Sequence, residues 1–276
     1  MARISIDGVA RDTMAEARAH WSAFATLTAA FVFLPSLVFG LLAPSAAASL
    51  QMPAPGVMPH FAGWLVPAVL VGIVLQSWVT LTIAGIAGDP ARPEHETVGA
   101  TLARMAPALL RYLGALVLMF VGYLLLAVPL GMVVGLVTGT GFQRTGVAMG
   151  VSGPGAGLLV IAILALVLWL AARLAPMAGV FAVERTGPVA GLRRSWALTS
   201  GSTGRIVLLI IVMLIAALVV VVAGQALAAA FASAVLLAGA ATLAKVIQLM
   251  VAGAVNALLF MLYSAGVGVL YRRLRA

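Results

Sequence analysis

Long apolar stretches alternate with short polar segments along the whole chain. A helix that crosses a membrane needs about 20 consecutive apolar residues, and the sequence contains six stretches of this kind. They are Trp21–Leu42, Phe61–Ala87, Tyr112–Leu136, Leu158–Val183, Arg205–Ala228 and Lys245–Leu270. The polar segments between them are shorter than the roughly 50 residues of the smallest soluble domains. The pattern predicts an all-α polytopic membrane protein in which residues 1–276 form a single domain with six transmembrane helices.

A short polar and amphipathic segment precedes each odd-numbered apolar stretch. The three segments are Asp12–Ala19, Glu96–Arg111 and Gly187–Thr199. In the first segment, Thr13 and Glu16 have the spacing of a capping box, which predicts a helix start at Thr13. Apolar residues in the other two segments recur at helical intervals. The segments predict three amphipathic helices lying on the membrane surface, with ordinary connecting helices as the alternative.

Each amphipathic segment and the two apolar stretches that follow it form one unit. The chain divides in this way into three repeat-like units, which cover residues 1–88, 89–183 and 184–276. Because each unit crosses the membrane twice, all three share one orientation. The sequence therefore predicts three parallel helix-hairpin repeats rather than inverted ones.

The composition excludes a soluble protein. Hydrophobic residues make up 64% of the chain and charged residues 8%, whereas a soluble domain is about half apolar and about a quarter charged. A net charge of +9 would indicate a nucleic-acid partner in a soluble protein. In a membrane protein, basic residues instead mark the cytoplasmic side, so we expect no nucleic-acid partner and no cofactor.

The charged residues are distributed very unevenly between the two sides of the predicted bundle. With the first polar segment in the cytoplasm, all seven acidic residues and nearly all of the 16 basic residues are cytoplasmic. Arg144 and Lys245 fall outside, and Arg173 falls within the fourth apolar stretch. This bias predicts cytoplasmic N- and C-termini. The basic residues other than Lys245 are all arginines and alanine is abundant, which favours a bacterial inner-membrane protein.

The third amphipathic segment carries a recognisable motif. Its residues are Glu184, Gly187, Arg194, Ser195, Trp196, Leu198, Thr199 and Gly201. This pattern resembles one found between the fourth and fifth spans of a family of six-span bacterial membrane proteins. That family includes the membrane domain fused to some glycerophosphodiester phosphodiesterases and stand-alone proteins of unknown function. The resemblance implies the six-span fold and a loose link to lipid or envelope metabolism.

The chain departs from the family pattern in two places. Gly191 stands where the family usually has alanine, and Ser202, Thr203 and Gly204 stand where aromatic residues usually follow. The phosphodiesterase catalytic domain has no counterpart in the sequence. We therefore do not expect that activity here.

The predicted spans contain few polar side chains. Arg173 is the candidate functional residue within a span, because a charge there is costly and needs an explanation. It is either a structural anchor, for which an acid of the cytoplasmic layer could serve as partner, or a contact for an anionic headgroup. Gln76, Gln248 and Asn256 are further intramembrane candidates. They form either hydrogen bonds between helices or a polar substrate path.

A second set of candidates lies in the amphipathic segments. Its members are Arg104, Arg111, Arg193, Arg194 and Trp196. Arginine and tryptophan on a surface helix are typical of contact with anionic headgroups, so membrane lipids are the expected partners. No catalytic residue and no metal site is predicted, because no histidine or acid lies deep within a span. The sequence thus favours a non-enzymatic protein of lipid or envelope organisation, with a small-solute transporter or permease component as the alternative.

Overall fold

The computed structural model of the chain describes residues 5–42, 65–89, 96–138 and 156–276. Those residues are almost entirely helical, with short connections between the helices. The helices are α1 (Ile6–Ala19), α2 (Trp21–Thr28), α3 (Leu34–Leu42), α4 (Leu65–Gly88), α5 (Val98–Thr138), α6 (Ala156–Leu174), α7 (Met177–Glu184), α8 (Pro188–Thr199), α9 (Thr203–Leu237) and α10 (Ala241–Arg275). A π-helical turn, Ala29–Phe33, joins α2 to α3.

Six helical segments of the described chain are long and apolar enough to cross a membrane. They are Trp21–Leu41, Val66–Gly88, Val98–Leu126, Ile161–Glu184, Thr203–Leu237 and Ala241–Arg275. Each overlaps one of the predicted spans. The all-helical, multi-pass membrane architecture is therefore confirmed.

The first and last described helices meet at one end of the bundle. The carboxylate of Glu16 lies 2.6 Å from Nη1 of Arg272, and Asp12 lies 2.7 Å from Nη2 of Arg273. Successive crossings leave this end and return to it, so the other short polar connections of the described chain meet here too. We call it the charged end; it comprises Asp12, Glu16, Asp89, Glu96, Arg104, Glu184, Arg194, Arg272 and Arg273.

Helix α10 lies at the centre of the packing and contacts α1, α4, α7 and α9. It approaches α4 closely where Gly88 and Gly268 face each other. A Cβ atom added to Gly268 would lie 2.6 Å from the carbonyl oxygen of Ala84, and one added to Gly88 would lie 3.1 Å from the Gly268 oxygen. Glycine is required at this crossing because the obstacle is backbone, which cannot rotate away as a side chain can.

The first two amphipathic segments differ from the prediction. Helix α1 begins after Ser5, whose hydroxyl accepts a hydrogen bond from the Gly8 amide, so the capping box at Thr13 was wrong. Thr13 lies inside the helix and its buried hydroxyl donates to the Val9 carbonyl instead. The segment Glu96–Arg111 is not a separate helix, because α5 continues through it into the third crossing without a break.

The third amphipathic segment does form a helix of its own, α8, and Pro188 occupies its first turn, where proline is favoured because its missing amide hydrogen is not needed. Its protein-facing side consists of the small residues Gly191, Ser195 and Thr199, which are all buried. Val189 and Trp196 are exposed, whereas Leu192 is partly buried against the core. Helix α8 therefore packs largely by small residues and leaves surface of Val189 and Trp196 exposed.

The helix of the fourth crossing is interrupted towards the charged end of the bundle. Helix α6 ends at Leu174, and α7 starts at Met177 after Pro176. Proline has no amide hydrogen and its ring clashes with the carbonyl one turn earlier, so the helix breaks there. After the break α7 enters the bundle, where Met177 to Ala182 are buried against α4 and α10.

Candidate functional site

Arg173 lies between two tryptophans at the end of α6. Its Cζ atom is 5.4 Å from the ring centroid of Trp169 and 5.1 Å from that of Trp196. The two indole rings meet edge to face, with centroids 5.2 Å apart and an interplanar angle of 85°. A guanidinium within about 6 Å of a ring centroid is attracted to the aromatic face. We call Trp169, Arg173 and Trp196 the arginine–tryptophan rim.

Local sequence explains how this rim is assembled. Trp169 and Arg173 are four residues apart on α6 and therefore share a face. The break at Pro176 leaves the carbonyl of Arg173 near the end of its helix, where the α8 hydroxyls reach it. Ser195 donates to this carbonyl at 3.0 Å, and Thr199 lies 3.3 Å from it. The two motif residues thus bind α8 to α6, and this contact brings Trp196 against Arg173.

The guanidinium of Arg173 has few partners within the protein. Its Nη1 donates to the backbone oxygen of Trp196 at 3.4 Å. Its buried Nε has no hydrogen-bond partner in the described part of the chain, and no described carboxylate forms an ion pair with it. An ion pair with an acid is therefore not observed among the described residues; the predicted role of structural anchor does not depend on that pair and stays a prediction beside the headgroup contact. An arginine has five N–H donors; because Nε is buried, the Nη groups are the donors that can reach a ligand.

Glu184 joins three elements behind the rim. One carboxylate oxygen accepts a hydrogen bond from the hydroxyl of Tyr271 at 2.9 Å, and both oxygens accept from Nε of Arg194 at 3.1 and 3.2 Å. Tyr271 is completely buried, whereas the Arg194 side chain is 45% exposed. The motif acid therefore connects α7 to α8 and α10.

The remaining motif positions are structural as well. Gly187 caps the start of α8, and Gly201 has φ = +85° in the turn that leads to α9. A left-handed φ favours glycine because a Cβ atom is disfavoured there. At Gly191, a Cβ atom would run into the ring of Phe181, which gives a physical reason for glycine at this position. Leu198 is half-buried on α8.

The predicted surface arginines divide into two groups. Arg104 is engaged within the charged end, with Glu96 at 3.0 Å and Asp89 at 3.4 Å, and Arg194 is paired with Glu184. Arg193 is exposed on α8 and has no ion pair with a described carboxylate. Arg111 donates to a backbone carbonyl, that of Arg185, at 2.6 Å. Arg193 and Trp196 thus remain available to a membrane surface, while Arg104 and Arg194 stabilise the fold.

The three intramembrane amides are exposed rather than packed between helices. Gln76 lies on α4, and Gln248 and Asn256 lie on α10. A solute path through the bundle, which is the premise of the transporter alternative, gains no support from their positions.

Sequence reasoning missed two residues of this region. Trp169 could have been found, because its spacing of four from Arg173 places the two on one helix face. Tyr271 left no local signal, since its partner Glu184 is 87 positions away in the sequence. In the part of the chain that the structure describes, no three histidine, aspartate or glutamate side chains group in a way that could hold a metal ion.

The chain was also compared with known proteins. No family model, no curated protein and no solved structure matches it. The residues and their geometry therefore carry the functional argument.

Proposed function

We propose that this chain is a non-enzymatic protein of the bacterial inner membrane that binds anionic lipids on the cytoplasmic side and contributes to lipid or envelope organisation. The observation that carries the proposal is the arginine–tryptophan rim. It holds a cation with unused hydrogen-bond donors at the end of an apolar helix, without an ion pair to any described carboxylate.

The surroundings of Arg173 favour a lipid phosphate as its ligand. Tryptophan is enriched at the level of lipid headgroups, where its ring bridges apolar and wet surroundings. Trp169 and Trp196 are 39% and 40% exposed, so both rings also present surface outside the bundle. A planar guanidinium matches the oxygens of a phosphate in a two-pronged geometry. A lipid phosphate is the anion that a membrane offers to such a group.

The charge balance of the described chain supports the same proposal. The acids Asp7, Asp12, Glu16, Asp89, Glu96 and Glu184 each have an arginine within 4 Å. Several arginines have no such pair with a described acid; they are Arg18, Arg111, Arg173, Arg185, Arg193, Arg205 and Arg275. Positive charge thus remains at one end of the bundle, where anionic lipids can neutralise it.

The lipid proposal is tested by co-purification. The wild-type chain, extracted in mild detergent, is expected to retain an anionic phospholipid in excess of its share of the membrane, as measured by mass spectrometry. Charge-assisted hydrogen bonds contribute about 1.5–3 kcal/mol each, so Arg173→Gln is expected to reduce this enrichment about tenfold or more.

The matched control for this experiment is Arg11→Gln. Arg11 is an exposed arginine whose pair with Asp7 lies within one helix, so its loss removes the same charge without touching the rim. Unchanged enrichment in Arg173→Gln, with a normal unfolding temperature, would contradict the proposal. Flux of a solute into liposomes without lipid enrichment would favour the transporter alternative instead.

The orientation of the chain in the membrane is tested by cysteine labelling. The sequence has no cysteine, so a single introduced cysteine is the only thiol that a reagent can label. Ala190 is exposed on α8 at the charged end, and Ala238 is exposed between α9 and α10 at the far end. In intact spheroplasts, a membrane-impermeant thiol reagent is expected to label Ala238→Cys but not Ala190→Cys. Labelling of Ala190→Cys alone would place the charged end outside.

A further inference from the structure

A pocket of about 300 Å³ opens between the first turns of α5 and the end of α7. It is separate from the arginine–tryptophan rim, with which it shares no lining residue. Its charged lining consists of Arg104, Arg111 and Arg185. The other lining residues are alanines and a proline, and none of the lining residues is acidic. A pocket of this volume is at the small end of the ligand-site range of roughly 300–1,000 Å³.

The charge of the pocket is not neutralised by the described residues. Arg104 is paired with Glu96 and Asp89. It therefore lines the pocket, but its charge is already balanced by these two carboxylates. Arg111 and Arg185 have no ion pair with a described carboxylate. Both therefore contribute uncompensated positive charge to the same cavity.

The positions of these two arginines are set by the backbone. Arg185 follows α7 in a left-handed conformation, with φ = 51° and ψ = 32°, which ends the helix at the pocket. The Nη1 atom of Arg111 donates to the carbonyl of Arg185 at 2.6 Å. This hydrogen bond uses one of the five donors of Arg111 and holds its guanidinium at the cavity. The side-chain groups that line the pocket can donate hydrogen bonds, but none is an anionic acceptor.

We infer that this pocket binds a phosphate group through Arg111 and Arg185. Two guanidinium groups present planar pairs of N–H donors to tetrahedral oxygens, which is the geometry that arginine uses for phosphate. Small alanine and proline walls leave room for the group that carries the phosphate. That group is a lipid headgroup or a small soluble phosphate, and the chemistry of recognition is the same for both. The inference goes beyond the proposed lipid rim because it concerns a second site with a different lining.

The test uses the full chain and a matched pair of substitutions on α5. Ala103 lines the pocket and is exposed, so Ala103→Glu places a carboxylate beside the arginines without disturbing the core. Ala106 is exposed on the same helix and does not line the pocket, so Ala106→Glu carries the same charge elsewhere. Arg185→Gln is a second pocket variant whose exposed side chain has no described partner.

Two probes distinguish the sources of the phosphate. In detergent, inorganic phosphate is titrated calorimetrically. In nanodiscs of phosphatidylcholine and phosphatidylglycerol in equal amounts, retained lipid is counted by native mass spectrometry. For the probe that binds, Ala103→Glu and Arg185→Gln are each expected to weaken binding about tenfold or more, while Ala106→Glu has no effect. If the pocket variants lose binding of inorganic phosphate, the ligand of the pocket is a soluble phosphate. If they lose retained lipid, the ligand is a lipid headgroup.

The inference is overturned if neither probe responds to the two pocket variants, or if Ala106→Glu weakens binding as much as Ala103→Glu. Arg173→Gln separates this result from the proposed function. Lipid retention that depends on Arg173 but not on the pocket variants would leave the proposed function standing and remove the pocket. The reverse dependence would retain the pocket and remove the rim as the lipid site.

Discussion

Gly268→Ala is expected to destabilise the chain strongly, although alanine is the better helix former. The added Cβ atom would lie 2.6 Å from the backbone oxygen of Ala84 and 3.0 Å from both the Ala84 Cα and the Ala87 Cβ atoms. These atoms belong to α4 itself, so the two helices must separate. Overpacking of this kind costs about 1–3 kcal/mol, and separation would loosen the buried side chains around the crossing as well. Unfolding temperature in detergent and the monodisperse fraction in size-exclusion chromatography are the measurements.

A matched control lies two residues away on the same helix. A Cβ atom on Gly266 would meet only the side chain of Thr13, at an ordinary 3.7 Å. The helix propensity gained by replacing glycine with alanine is about 1 kcal/mol, so Gly266→Ala is expected to be neutral or stabilising. Equal unfolding temperatures for the two variants would show that α4 and α10 do not approach as closely as described.

Glu184→Leu is expected to be the second strongly destabilising substitution, and the reason is Tyr271 rather than Arg194. Tyr271 is completely buried and the nearby Arg275 can only donate to its hydroxyl, so without Glu184 the hydroxyl proton loses its acceptor. A buried polar group left without a partner costs about 1–3 kcal/mol. The pair with Arg194 is 45% exposed on the arginine side, and exposed ion pairs contribute only about 0–1 kcal/mol.

Two further substitutions separate these contributions. Glu184→Gln keeps an oxygen that accepts from Tyr271 but removes the charge, and Arg194→Gln removes only the ion pair. Both are expected to cost less than Glu184→Leu in thermal unfolding. The hydroxyl of Tyr271 is the group that distinguishes the two Glu184 variants. In chains that also carry Tyr271→Phe, Glu184→Leu and Glu184→Gln are therefore expected to have similar unfolding temperatures. If Arg194→Gln were as damaging as Glu184→Leu, the ion pair would be the main contribution.

Local sequence determined the elements of this protein. The six crossings follow from apolar stretches long enough for a bilayer, because in lipid a chain must satisfy its backbone within the helix. Two prolines also acted as their chemistry dictates: Pro188 starts α8, and Pro176 interrupts the fourth crossing. These features depend on composition and near neighbours, which the sequence displays directly.

Local pattern was insufficient where a competing local signal existed. The capping box at Thr13 was wrong because Ser5, one turn before the first buried position Val9, caps α1 instead. The segment Glu96–Arg111 was expected to form a separate helix, but α5 continues through it into the span, with Pro107 inside the helix. The spacing of apolar residues shows that a segment is helical, but it does not show whether that helix ends before the next apolar stretch or continues into it.

The tertiary structure alone decided what the polar residues do. Glu184 meets Tyr271 87 positions away, Arg111 reaches the carbonyl of Arg185, and Gly268 faces Gly88. Such contacts depend on how far each helix is rotated about its axis and shifted along it, and helical periodicity within one segment leaves both quantities open. For this reason the sequence could single out Arg173 as a charge in need of an explanation, while only the packing of α8 against α6 placed it between two tryptophans.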